Sequence, residues 1–263
     1  MYTFQTYDQF RLSCFQNRKP GIRFGDTDSL TFYQFSEVDY FNYILFKSAN
    51  YRQAELEEVL HLYLAEGRSD IKLLFPAVIK DSFTNLVLEE TFHEIACLKQ
   101  TIKRDLQISK NELVLTEVKT GKDLLEYTRI YLEGFGSDNT DYKEVSSNFE
   151  LLWQEDSVDF FFVNHEGNRA GICSNYYGPE CVFLSAGAIL PAYRNMGLHK
   201  QVIADRIRLA RLKGHTEFVS WAYTGSISYQ NLVKSNFSHY ASYCEYVSKP
   251  LEVLTKAGSL LQQ

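Results

Sequence analysis

The feature that most restricts this chain is the order of residue types across 182–214. An apolar run at 182–190 reads as a strand, and Pro191, which cannot donate to a ladder, closes it. A short loop carrying Arg194 and Gly197 follows. Beyond it Leu198, Val202, Ile203, Ile207 and Ala210 recur at helical spacing. Lys200, Arg206, Arg208, Arg211 and Lys213 are assigned to the opposite, solvent-facing side, and Gly214 to the helix cap. A loop that opens straight into a helix aims several unpaired backbone N–H groups at one spot, where the helix dipole also favours negative charge. Such a spot suits a pyrophosphate.

The flanking segments extend the pattern. Residues 113–118 read as a strand, then Leu124, Leu125, Thr128, Tyr131, Leu132 and Phe135 mark one helix, and Val145, Phe149, Leu152 and Trp153 a second. The apolar strand 159–163 turns at 164–168 into a strand at 170–177, and Gly178-Pro179 leads on to 182–190. After the helix come a strand at 216–222, a short helix at 226–234 and a last strand at 238–247.

Residues 190–199, Leu-Pro-Ala-Tyr-Arg-Asn-Met-Gly-Leu-His, resemble the acyl-CoA loop of the GNAT superfamily of N-acetyltransferases, Arg/Gln-x-x-Gly-x-Gly/Ala after a strand. Arg194 and Gly197 match the pattern, and His199 stands where Gly or Ala is usual. The element order over 112–247 is also similar to that family's. The resemblance implies an α/β (α+β) fold with a mixed central sheet flanked by helices, acetyl-CoA as co-substrate, and transfer of an acetyl group to a primary amine. It implies that Ala188, Ile189 and Leu190 form the edge along which pantetheine lies, with the Ile189 backbone N–H as an oxyanion donor. The backbone of Arg194, Asn195, Met196, Gly197, Leu198 and His199 would hold the pyrophosphate, the strand around Trp221 would splay away to admit the thioester, and Asn231 would bond to CoA.

Acyl transfer also calls for an acid at the departing sulfur. Family members often supply a Tyr a few residues before a Gly-Phe pair; here the pair is Asn236-Phe237, and the Tyr position aligns with Leu232. Tyr229, three residues earlier, is the candidate acid. Glu180, His199, Glu217 or a water chain could serve as base. Tyr176 and Tyr177 either line the acceptor site or pack.

Residues 1–110 read as a smaller α/β domain. A strand is expected at 31–35, another apolar stretch follows at 40–46, and a helix carries Leu56, Val59, Leu60, Tyr63 and Leu64 on one face, closed by Gly67. A strand at 71–79 interrupted by Pro76 should follow, then a helix over 90–106 with Phe92, Ile95, Ala96 and Ile102 inward. Nothing in this half reads as a phosphate loop. With the boundary at 103–111, the domains are 1–110 and 111–263, and the first resembles the degenerate copy found in tandem GNAT proteins. Glu58-x-x-His61 and Glu90-x-x-His93 each fit a pair of metal ligands on one helix, but a di-metal bundle needs further long helices that the neighbouring strands contradict. No metal is expected.

Composition narrows the classes left. At 263 residues, 45% hydrophobic and 15% aromatic, the chain can fill real cores. A net charge of -6 and a pI near 5.6 argue against nucleic acid, leaving the basic helix face as solvated surface or as a lip beside CoA phosphates. Five scattered cysteines form no C-x-x-C pair, so neither disulfides nor zinc are implied. No apolar run approaches the ~18 residues of a membrane span, and a cytoplasmic protein is expected. Three classes remain: an acyltransferase, a non-catalytic acyl-CoA-binding regulator, and an interaction protein without cofactor.

Overall fold

The structure, a computed structural model, describes residues 22–35, 42–67, 70–79, 92–102, 114–137, 142–249 and 253. The chain divides into two compact units, whose described residues fall within Gln16–Ala96 with Ala241–Gln263, and within Cys97–Tyr240.

In the first unit strands β1 (Ile22–Asp26), β2 (Leu30–Phe35) and β3 (Tyr43–Phe46) form an antiparallel meander. Helix α1 (Gln53–Ala65) then crosses over to β4 (Ile71–Pro76), which pairs parallel with β3. Leu56, Val59, Leu60 and Tyr63 recur at helical spacing and bury against Ile44, Phe46, Leu73 and Phe75. The Tyr63 hydroxyl donates to the carbonyls of Tyr33 and Tyr43, which fastens the helix to two strands.

Strand β5 (Phe92–Thr101) occupies the stretch expected as a helix. The residues from Ile95 to Leu98 are all buried, as in a strand covered on both faces, and a short apolar run of this kind cannot be told from a helix face by spacing. His93 therefore belongs to a strand and Glu90 lies outside the described residues. The other pair, Glu58 and His61, is exposed on α1. Among the described residues no cluster could hold a metal ion.

The second unit contains β6 (Leu115–Glu117), α2 (Gly121–Gly134), α3 (Tyr142–Trp153), β7 (Val158–His165), β8 (Asn168–Tyr177), β9 (Val182–Ile189), α4 (Leu198–Leu212), β10 (Glu217–Tyr223), α5 (Ile227–Lys234) and the start of β11 (Ser238–Ser248). Its strand order is β11-β5-β10-β9-β8-β7-β6, in which β6 to β9 pair antiparallel in succession and β9 pairs parallel with β10. Alternation along β7 separates two faces. Phe160 and Phe162 meet Tyr127 of α2, whereas Phe161 and Val163 cluster with Val202 of α4. Thr120 and Asp123 form a capping box at the start of α2, and Arg169 of β8 binds Asp123 at 2.7 Å and also Glu126.

The boundary expected at 103–111 lies outside the described residues. Residues 97–101 of β5 group with the second unit. The far end of β11 pairs antiparallel with β4, from Tyr243↔Pro76 to Ser248↔Ile71, and so belongs to the first.

Candidate functional site

The site begins with a bulge. Ser174 of β8 faces Ser185 of β9 and Ile172 faces Ala188, so β9 carries one more residue than β8 between these pairs. Ala186 takes up the excess at φ 47°, a left-handed conformation costly for a residue with a side chain. Arg206 of α4 holds it there. Its Nε donates to Asn175 Oδ1 at 2.9 Å, and Nη2 donates to the Ser185 carbonyl at 2.8 Å and to the Ser174 carbonyl. The Asn175 side-chain amide returns a bond to the Arg206 carbonyl at 3.2 Å.

This corrects the assignment of Arg206 to the solvent face. Arg206 is only 3% exposed, beside Asp205, which accepts from the Val114 N–H at 2.9 Å. Both lie on or next to the stripe of Val202, Ile203 and Ala210, and a buried guanidinium is tolerable because carbonyls and an amide oxygen satisfy it. Lys200 and Lys213 remain exposed, as expected.

A bulged strand bends, and β9 leaves its parallel neighbour early. Bridges join Phe218 to Val182 and Val219 to Phe183, and Ser220 Oγ still reaches the Leu184 carbonyl at 2.8 Å. Beyond these, the two strands run on to Ile189 and Tyr223 without further pairing. The resulting gap is where the splay was expected. Trp221 and Tyr223 stand at its β10 side with ring centroids 6.3 Å apart. On the β9 side, Leu190 N–H donates to the Ala170 carbonyl at 2.9 Å, so by alternation of an antiparallel ladder the N–H and C=O of Ile189 point away from β8, toward the gap. The Ala188 side chain packs on the other face, toward Gly134 of α2, so that only the backbone of Ala188 can serve a ligand in the gap.

The loop follows. A 3-10 turn, Pro191–Tyr193, ends in Arg194, whose Nε donates to the Ile189 carbonyl at 3.1 Å and Nη2 to the Gly134 carbonyl at 3.0 Å. The guanidinium thus braces strand, loop and α2. Asn195 and Gly197 take positive φ, 65° and 76°, and Gly197 caps α4 in the left-handed region. The N–H groups from Asn195 to Lys200 donate to no backbone acceptor among the described residues, and the first turn of α4 holds no acidic residue. Asn195, Met196 and Gly197 are exposed, whereas the Leu198 side chain turns into the core. Donors are therefore concentrated at an exposed helix start.

Helix α5 closes the gap from beyond β10. Asn231 Nδ2 lies 3.1 Å from His199 Nδ1. With the amide nitrogen, a donor only, facing the ring, Nδ1 is assigned as the acceptor and the ring proton to Nε2. Burial pushes His199 down to about 4, with the Arg206 charge adding to it, which keeps the ring neutral. A methyl placed on Gly187 would stand 3.3 Å from Arg206 Nη1 and 3.5 Å from His199 Nε2.

Other expected residues separate. Tyr229 is half-buried in the first turn of α5, its N–H donating to Ser226 Oγ at 3.1 Å and its hydroxyl making no bond among the described residues. Leu232 is buried in the core. Tyr176 and Tyr177 pair with Phe183 and Val182, at the end of β9 remote from the loop. Tyr176 is buried and the Tyr177 hydroxyl donates to Asp159, so both are packing residues and do not line the gap. Glu180 precedes β9 and Glu217 begins β10, accepting from Thr101 Oγ1 at 2.7 Å; both lie at the closed end. Of the three candidate bases only His199 reaches the gap.

No family model matches the sequence, and no curated protein matches it. Solved structures do share its fold. A conserved protein of unknown function from Staphylococcus epidermidis is similar with a TM-score of 0.64 at 10% identity, over 92% of this chain and 99% of that one. A GCN5-related N-acetyltransferase from Kribbella flavida reaches 0.59 at 11% identity, over 94% and 93% of the two chains. A tandem GNAT protein from the clavulanic acid biosynthesis pathway reaches 0.60 at 8%, over 92% and 87%. The chain has the mixed α/β fold of the GNAT N-acetyltransferases, matched along most of its length to a tandem member.

Proposed function

We propose that this protein transfers an acetyl group from acetyl-CoA to a primary amine. The observation that carries the reading is the coincidence of three features at one end of β9: its divergence from β10, the outward-facing Ile189 N–H, and the undonated N–H groups of residues 195–200. The loop backbone would take the pyrophosphate and the gap would take the pantetheine arm. The thioester oxygen would be steadied by the Ile189 N–H as it becomes anionic. Arg194 contributes through its brace, because its side chain is spent on two carbonyls. Asn231, bonded to His199, would act on the cofactor through that ring or by exchanging the bond for one to CoA.

Calorimetric titration with acetyl-CoA, with adenosine diphosphate as a control for generic phosphate binding, tests the first half. Acetyl-CoA should bind far more tightly; equal or absent binding removes the reading. A thiol-release screen across amines then tests turnover, and binding without turnover favours an acyl-CoA-binding regulator. Tyr229→Phe should slow transfer about tenfold or more with little change in acetyl-CoA affinity if its hydroxyl serves as acid. Since that hydroxyl makes no bond among the described residues, stability should not change. Unchanged turnover makes Tyr229 a packing residue.

A further inference from the structure

Two donors from α4 converge on the backbone of β9 at Gly187. Arg206 Nη1 and His199 Nε2 lie 3.3 and 3.5 Å from the position a methyl on Gly187 would occupy. Gly187 belongs to the bulge that turns β9 away from β10, so the convergence stands beside the opening. Each donor is held by a different anchor. Arg206 is fastened through Nε and Nη2 to Asn175 and two carbonyls, and His199 through Nδ1 to Asn231. Both groups therefore aim without needing the ligand to order them.

Resting on the acyl-CoA reading above, we infer that His199 Nε2–H and the Arg206 guanidinium form the subsite of the departing sulfur, taking the role that a Tyr at position 232 does not fill. The side chain at 232 is a leucine in the core, so that position offers no acid, whereas Asn231 beside it orients His199. The amine nitrogen attacks the thioester carbon, the C–N bond forms and the C–S bond breaks with its electron pair left on sulfur. The nascent thiolate accepts the His199 Nε2–H bond and feels the Arg206 charge. The proton shed by the amine nitrogen then neutralises it, giving amide and free thiol. His199 stays neutral throughout, because burial and the neighbouring cation both oppose its protonation. Asn231 of α5 and the glycine of β9, which also meet the ring, are uncharged, and the charge acting on it is that of Arg206.

The subsite makes a thermodynamic demand: a cation and a fixed N–H donor favour thiolate over thiol. The thiolate absorbance of CoA bound to the full chain is titrated against pH, with calorimetry of CoA and of desulfo-CoA, which lacks the sulfur, alongside. The bound thiol should ionise about one pH unit or more below free CoA, an approximately tenfold preference for thiolate. His199→Phe should return most of that shift and weaken CoA at high pH more than desulfo-CoA, and His199→Gln, which keeps an N–H, should restore part of it. If the phenylalanine variant does not fold, Asn231→Ala, which releases only the anchor of Nδ1, should show a smaller loss in the same direction. An unshifted thiol in the wild type with both ligands bound overturns the subsite, as does an unchanged shift in His199→Phe. If neither CoA nor desulfo-CoA binds, it is the acyl-CoA reading itself that fails.

Discussion

Each unit contains one parallel β-α-β crossover, β3-α1-β4 in the first and β9-α4-β10 in the second, and the two solve the same backbone problem in opposite ways. Neither helix has a side-chain N-cap, so both begin with surplus N–H donors. In α1 the protein supplies its own anion. Glu55, third residue of the helix, accepts from Ser29 Oγ at 2.5 Å and Thr27 Oγ1 at 3.0 Å and pairs with Arg52. In α4 the third residue is Lys200, and no acid occupies the first turn. The strands differ in the same sense. The pairs Tyr43↔Lys72, Ile44↔Leu73 and Leu45↔Leu74 run along most of the four-residue β3, whereas two pairs serve the eight-residue β9. On the proposed function, a crossover serves as a receptor when its helix start is left unfilled and its strands part. Arg206, wedged at the bulge, accounts for the second condition.

The comparison breaks most sharply at Gly197. A Cβ there would meet no protein atom within 4 Å, so the main cost of Gly197→Trp is the left-handed backbone strain of roughly 1–2 kcal/mol, and the fold should stay in place. The indole would cover the loop, and acetyl-CoA affinity should fall about hundredfold or more, some 3 kcal/mol by calorimetry. Near-normal affinity in a folded variant would show that the open helix start of α4 is no more a binding site than the filled one of α1.

How far these features could be read beforehand depends on what spacing can encode. The strand, loop and helix at 182–214 were legible because Pro191, Gly197 and Gly214 punctuate them and the apolar stripe of α4 is regular. The gap was foreseen only through family likeness, since strand divergence leaves no trace in hydropathy. Arg206 was misplaced because its charge was allowed to outweigh its position: it is four residues from Val202 and Ala210 and three from Ile203, squarely on the buried stripe. The polar Ser174-Asn175 pair within the buried stretch of β8 was the matching signal. The strand at 92–101 was missed for a different reason, because a buried run of four residues satisfies helix and strand templates equally. For Tyr176 and Tyr177 strand neighbourhood alone could not choose between lining the acceptor site and packing, because it does not say which end of β9 they face.

Exchanging the third helix residue sharpens the contrast in charge. Lys200→Glu gives α4 the acid that α1 has, on an exposed position with no donors around it comparable to Ser29 and Thr27. It should weaken acetyl-CoA binding about tenfold at low salt, through lost attraction and added repulsion to the phosphates, and the loss should shrink as salt rises. Desulfo-CoA should lose as much, because the phosphates and not the sulfur are involved. A salt-independent loss would mean that Lys200 acts by shaping the loop rather than by charge.

The converse change, Glu55→Gln, produces the smallest effect and reads out in pH. The Ser29 hydrogen bond is the main cause holding the Glu55 carboxyl below its ordinary range, against a modest desolvation penalty, with Thr27, Arg52 and Lys47 assisting. A group with a depressed folded pKa contributes stability that is complete above its unfolded value, about 4.3, and is lost as pH falls through the folded one. Amide protection around the β1–β2 turn, where Leu30 N–H donates to Thr27 Oγ1 at 3.0 Å, should therefore decline in the wild type below about pH 4.3, beyond the intrinsic exchange rate. In Glu55→Gln the corresponding decline should be shallower, and the two proteins should converge in acid. The neighbouring ion pair of Asp26 with Lys47, at 2.8 Å, is common to both proteins and cancels in the difference. Parallel profiles at every pH would mean that the carboxylate does not fill the start of α1, and the distinction between the two crossovers would then rest on strand divergence alone.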